Sequence, residues 1–150
     1  MNDLLCVPLA TSQLVTVVQA LQQVGLPADD VSEPGRSFWR FENPTGEIVG
    51  FGGLEFYGSI ALLRSVIVVP ELQGQGLGQK IVGELLRCAK DMGISEIYLL
   101  TTTARTFFEM QGFKVIDRCN VPAEILATRQ AAQLCPGSAT ILAKAISDIS

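Results

Sequence analysis

Residues 62–81 read LLRSVIVVPELQGQGLGQKI, and this stretch decides the fold. A β-branched apolar run ends at Pro70 and a glycine-studded turn follows. A helical pattern then begins at once, with Ile81, Val82, Leu85, Leu86 and Ala89 on one face. That order leaves backbone N–H groups unpaired at a helix N-terminus, where phosphate oxygens are well received. The glycines match neither nucleotide fingerprint. A dinucleotide turn needs G-x-G-x-x-G, and counted from Gly74 its last place is held by Gln79; a P-loop needs a glycine followed by lysine, which is absent here. Taken alone, the segment is equally a glycine-rich tight turn.

Working outward, residues 37–42 and 47–57 read as antiparallel strands joined at residues 43–46. A second hairpin turns near Gly58 and leads into a strand over residues 60–69. Nearer the start, Thr11 and Ser12 can cap a helix carrying Leu14, Val17, Val18, Leu21 and Val24, which Gly25 stops. Residues 28–35, polar and broken by Pro34, read as a loop or one short helical turn. Downstream, the helix after the glycine turn runs to about Met92 and closes at Gly93. A strand over 96–101, a short helix over 104–111 and a strand over 114–118 come next. Pro122 opens a helix to about Leu134, and residues 139–145 form the last strand. The expected fold is α+β, a mixed and mostly antiparallel central sheet flanked by helices, in a single domain over residues 1–150.

Apolar residues make up 48% of the chain and charged residues 17%, enough for a packed core. The net charge of −4 argues against nucleic acid as a partner, since phosphates need a basic face. Histidine is absent, which excludes a His-containing triad and a His-ligated metal. No metal is expected. Cys6, Cys88, Cys119 and Cys135 are far apart in sequence and form no C-x-x-C pair, so reduced thiols in a cytoplasmic protein are expected. No apolar run approaches the roughly 20 residues that span a bilayer.

The strand at Val66–Pro70 followed by Gln73, Gly76 and Gly78 resembles the [QR]-x-x-G-x-[GA] signature of the GNAT superfamily of acyl-CoA N-acyltransferases. A second block, Ala104 followed by Phe107, Phe108, Gly112 and Phe113, is similar to that family's A-x-x-x-[YF]-x-x-x-G-F element. The resemblance implies that acetyl-CoA is the co-substrate. Its pyrophosphate would lie on the amides of Gln73, Gly74, Gln75, Gly76, Leu77, Gly78 and Gln79, with Phe108 also in contact. Its pantetheine arm would pair like an added strand with Val66, Ile67 and Val68, and an amide near Val68 would polarise the thioester carbonyl.

Amine acetylation needs a neutral amine beside the thioester and a path for protons. Strand alternation puts Val49, Phe51, Gly53, Glu55 and Tyr57 on one face, so an acid interrupts an apolar row. Arg64 likewise interrupts the row Ile60, Leu62, Val66, Val68. The pair is within reach across the hairpin, either as a stiffening ion pair or as functional groups. In the functional case Glu55 is the base or ammonium anchor, and Arg64 is a carboxylate or oxyanion clamp. Thr101 and Thr102 can hydrogen-bond the acceptor, or serve only strand propensity with a helix cap at Thr103. Leu26, Pro27, Asp30, Phe38, Arg40 and Arg105 are further candidates for the acceptor side.

The tyrosine that protonates the departing thiolate in many family members corresponds to Phe108, which has no proton to give. Water, Ser65, Thr101, Thr102 or Tyr57 supplies it, or CoA leaves as the thiolate. The alternative is a catalytically poor acyl-CoA-binding module. The segments GLEFYG, LLRS and LLTTTA, with the tail around Val121–Thr128 and Cys135–Ala139, are similar to GNAT proteins of bacterial arsenic-resistance operons, a branch near phosphinothricin and amino-acid N-acetyltransferases. That resemblance implies a small amino-acid-like amine acceptor, reached by direct attack in a ternary complex. A homodimer through the late strands is the assembly it suggests.

Overall fold

The computed structural model describes residues 4–25, 28, 30–128, 131 and 139–146. The strands are β1 (Leu5–Pro8), β2 (Arg36–Glu42), β3 (Ile48–Tyr57), β4 (Ile60–Val68), β5 (Glu96–Thr101), β6 (Lys114–Val115) and β7 (Thr140–Ala145). The helices are α1 (Leu14–Gln23), α2 (Leu77–Asp91), α3 (Arg105–Met110) and α4 (Ala123–Leu126). All seven strands join one sheet in the order β1-β2-β3-β4-β5-β7-β6. Only β4 and β5 pair in parallel, because α2 carries the chain back across the sheet between them. The fold is the α+β arrangement expected.

Alternation sorts the side chains onto two faces. On one, Phe38, Phe51 and Ile67 meet Val17 and Leu21 of α1. On the other, Leu54 and Leu63 meet Ile81, Val82, Leu85, Leu86 and Ala89 of α2, all five buried as their spacing predicts. The approach of α2 is close because β3 carries glycines under it. A Cβ on Gly52 would lie 2.5 Å from Leu85 Cδ1, and one on Gly50 would lie 2.6 Å from Ile81 Cδ1 and collide with the Ile67 carbonyl. A third cluster joins Leu62, Tyr98 and Ile141 to Val121 and Ile125 at the far side.

Several expectations are corrected. β1 is an additional four-residue edge strand, paired with β2. Thr11 and Ser12 lie inside a 3-10 turn, and Gln13 Oε1, not their hydroxyls, accepts from the Ala10 N–H. Val24 is exposed, one residue past the end of α1. The strand at 114–118 shrinks to Lys114–Val115, since Arg118–Asn120 turns. Pro122 is the N-cap of α4 rather than its first turn, and that helix ends at Leu126, where Thr128 Oγ1 donates to the Ile125 carbonyl. The rest of the helix expected to reach Leu134 lies largely outside the described residues. Among the described residues, no helix is long and apolar enough to cross a membrane.

Candidate active site

β4 leaves its parallel neighbour early. Pairing with β5 covers Ile60–Leu62 against Glu96–Tyr98, so from Leu63 onward β4 is no longer paired with β5. The cause is local. In the β3–β4 ladder the register jumps between Phe51 opposite Ile67 and Gly53 opposite Arg64, and Ser65 in the bulge has φ +61°. One extra residue flips the pattern. Arg64 faces the α1 side, whereas Val66 and Val68 pack in the α2 core. The expectation that Arg64 shares a row with Val66 and Val68 therefore fails at Ser65. Val49 likewise joins the α2 core, because it bulges where Glu42 pairs with Ile48 and Phe41 with Gly50.

The splay opens a cavity lined by Arg64, Ser65, Val66, Thr101, Thr102 and Phe108. It adjoins a space of about 550 Å³ bounded by Val66, Val68, Gln73, Gly78, Ala104 and Phe107. That space in turn meets one of about 440 Å³ at Gly74, Gly76, Leu77 and Gln79. The three form a continuous track from the glycine turn along β4 to Arg64. It brings together the turn, the strand, Phe108, Arg64, Thr101 and Thr102, while Glu55 is not among its lining residues.

At the turn, Pro70–Leu72 forms a 3-10 turn, and Gly74 and Gly76 take φ values of +86° and +79°. Gly76 is the N-cap of α2, so the first-turn N–H groups of Leu77, Gly78 and Gln79 face out at the positive end of the helix. Gln73 Nε2 donates to the Val68 carbonyl at 3.2 Å and ties the turn to the strand. Opposite, Phe107 closes over Gly78, where an added Cβ would lie 3.4 Å from its Cζ. Phe108 is buried and stacks edge-on against Phe107 and Phe113. Ala104, not Thr103, is the N-cap of α3, without a side-chain cap, and Thr101 Oγ1 accepts from the Ala104 N–H at 3.0 Å in the turn before it.

Glu55 and Arg64 do meet, inside a larger buried cluster. Arg64 Nη1 donates to Glu55 Oε2 at 2.7 Å and to Asp30 Oδ2 at 2.6 Å. Arg36 Nη1 donates to Asp30 Oδ2 at 2.5 Å and lies 3.2 Å from Glu55 Oε2. The Tyr57 hydroxyl donates to Glu55 Oε1 at 2.5 Å, and Arg64 lies over the Phe38 ring at 5.4 Å. Two carboxylates and two guanidinium groups thus neutralise one another out of water. Burial alone would raise the Asp30 carboxyl, but the Arg64 hydrogen bond and charge, with Arg36, hold it below the ordinary range. Burial and the bond to Glu55 push the Tyr57 phenol up. Asp30 Oδ1 is buried with no partner.

Arg36 is the residue missed by the sequence reading. Its signal was present, because it stands directly opposite Glu55 in the β2–β3 register. Of the other candidates, Arg40 pairs with Glu42 and Arg105 with Glu109, both away from the cavity lining, and Leu26 and Pro27 lie outside the described residues. Among the described residues Cys6, Cys88 and Cys119 are free thiols, and Cys6 and Cys88, remote in sequence, bring their sulfur atoms to 3.7 Å; Cys135 lies outside the described residues.

Comparison with known proteins agrees with this geometry. The family model described as an acetyltransferase (GNAT) domain matches residues 34–115. An amino-acid acetyltransferase of Mycobacterium tuberculosis is 32% identical over 120 residues, covering 78% of this chain and 60% of that protein. An uncharacterised N-acetyltransferase, YjgM of Escherichia coli, is 35% identical over 94 residues, covering 57% and 56%. The chain therefore spans about three fifths or less of the length of these curated relatives. Among solved structures, Rv2747 of M. tuberculosis in complex with CoA and NLQ aligns with TM-score 0.70 at 23% identity, over 94% of this chain and 98% of that one. With the family match spanning the β2–β6 region that builds the cleft, the chain belongs to the GNAT acetyltransferase family.

Proposed function

We propose that the protein transfers an acetyl group from acetyl-CoA to the amine of a small amino-acid-like acceptor, by direct attack in a ternary complex. One observation carries the reading: the track that begins at the α2 N-terminus continues along the edge of β4 that β5 leaves and ends at Arg64 and Ser65. A long cofactor can lie there with phosphates at one end and a reactive thioester at the other. Residues 73–79 hold the pyrophosphate through backbone N–H groups. Val66, Ile67 and Val68 pair with the pantetheine arm, and an N–H near Val68 polarises the carbonyl as negative charge builds on its oxygen. Phe108 walls the thioester end.

The amino-acid acetyltransferase relative supports an amino-acid acceptor. Arg64, at the inner end of the track, receives the acceptor's acid group, assisted by the Thr101 and Thr102 hydroxyls. Phosphinothricin- and arsinothricin-type amino acids present the same combination of amine and acid. Glu55 serves as base or ammonium anchor through Tyr57: Oε1 keeps a lone pair beyond the one Tyr57 uses, and the half-buried phenol is the way out. The test is release of free thiol from acetyl-CoA across a panel of amino acids. Thiol release that depends on an added amine is expected. CoA binding by calorimetry without such release favours a binding module, as the apolar Phe108 wall would suit; no binding of any CoA species sinks both readings.

A further inference from the structure

Ser65 is the only non-glycine among the described residues in the left-handed backbone region, which is disfavoured for any side chain with a Cβ. Elsewhere among the described residues the chain meets positive φ with glycine, at eight positions. Here it keeps a hydroxyl, and at the point where β4 bulges open the cleft. Ser65 is buried, lines the inner cavity, and accepts from Arg64 Nε at 3.0 Å through its Oγ. Its own hydrogen is left to donate elsewhere. Thr101, Thr102 and Thr103 line the same cavity, but of its hydroxyl residues Ser65 alone is buried. Thr101 Oγ1 accepts from the backbone of the turn into α3, and Tyr57 donates to Glu55. Phe108, on the same cavity, has no proton.

We propose that Ser65 is the proton relay of the transfer step, an inference that rests on the acetyltransferase reading above. The amine lone pair forms the C–N bond, the C–S bond breaks, and its electron pair stays on sulfur. The Ser65 proton moves to that sulfur while one proton of the attacking nitrogen moves to Ser65 Oγ. Serine ends as it began, and the products are an amide and a free thiol. The Arg64 guanidinium steadies the partial negative charge that Oγ carries between the two transfers. General-acid help of this kind is worth roughly 10²- to 10⁴-fold.

The test compares wild type with Ser65→Gly, alone and combined with Phe108→Tyr. Glycine accepts the positive φ, so folding is preserved and thermal unfolding checks it. Ser65→Gly should lower kcat for amine-dependent thiol release about 100-fold, with the KM for acetyl-CoA within about twofold. The deficit should shrink above about pH 8.5, where CoA leaves readily as the thiolate. Adding Phe108→Tyr should recover at least about tenfold by supplying a hydroxyl from the same cavity. A Ser65→Gly kcat within about twofold of wild type, or a deficit equal at pH 7 and pH 9.5, overturns the relay and leaves the acetyltransferase reading standing. Wild type that releases no thiol with any amine overturns the reading itself.

Discussion

Replacing Arg64 by leucine should reverse the pH dependence of stability, not merely lower stability. In the wild type, Arg64 and Arg36 face Asp30 and Glu55, with every one of these side chains at most 10% exposed. Asp30 is held below the 3.8 of a free aspartate. A depressed folded pKa contributes stability at pH values above the unfolded one, and that contribution is lost as pH falls through the folded value. Asp30 therefore leaves the wild type flat between pH 5 and pH 7 and weakens it only in stronger acid. In Arg64→Leu the two carboxylates share Arg36 alone. Breaking a buried pair costs about 3–5 kcal/mol, against a total of about 5–15 kcal/mol for a domain. One of the pair then holds a proton, with a folded pKa raised above its unfolded value. Such a group stabilises most below the unfolded pKa and loses its contribution as pH rises through the folded one. Between pH 7 and pH 5 the variant should regain up to about 1.4 kcal/mol per pH unit. Urea unfolding followed by fluorescence of the buried Trp39, the chain's one tryptophan, reads this directly. Curves for the two proteins that stay parallel from pH 5 to pH 8 would refute the coupling.

Three further perturbations follow from the geometry. Gly76→Ala, at φ +79° with no atom within 4 Å of the new Cβ, should cost about 1–2 kcal/mol of stability. It should weaken CoA by at least about tenfold in calorimetry, since it shifts the amides of a helix N-terminus; unchanged affinity removes the turn from the site. Gly50→Ala drives a methyl into the Ile67 carbonyl and Ile81, and overpacking of about 1–3 kcal/mol should lower the melting temperature by about 5 °C, so an unchanged melt would contradict the packing of α2 on β3. Oxidised glutathione should join Cys6 to Cys88, sulfurs already 3.7 Å apart, with loss of two titratable thiols and a higher melting temperature. Their mutual hydrogen bond pushes the Cys6 thiol up and lowers the Cys88 thiol, making Cys88 the attacking group. Cys88→Ser retaining the oxidative shift would count against that pairing.

The strands and helices at the centre were legible because their periods are strong and their ends carry glycine or proline. α2 is the clearest case: five apolar positions on one face, closed by Gly93 at φ +83°. The margins were not legible, for a physical reason. β1 has four residues with Leu5 exposed at a sheet edge, so it leaves little alternation to read. α4 is four residues long, and its Pro122 cap suits a single turn as well as a long helix. The residue pattern alone does not distinguish them.

The cleft sets a harder limit. Its two ends were readable: a helix N-terminus after glycines, and an acid and a base interrupting neighbouring apolar rows. What joins them is the bulge at Ser65, and period-two reasoning cannot detect one extra residue, since each half of β4 alternates correctly by itself. Carried straight through, alternation places Arg64 and Val68 on one face. The bulge instead sends Arg64 toward Asp30 and Glu55 and leaves Val66 and Val68 against the α2 core, beside the edge that β5 abandons. Without that inversion β4 would bring either its charged cluster or its α2-packed valines to the track, not both. A single irregular residue, strained and bearing a hydroxyl, therefore does what two regular strands could not: it puts the glycine turn, the edge of β4 that β5 leaves and the buried guanidinium along one continuous path.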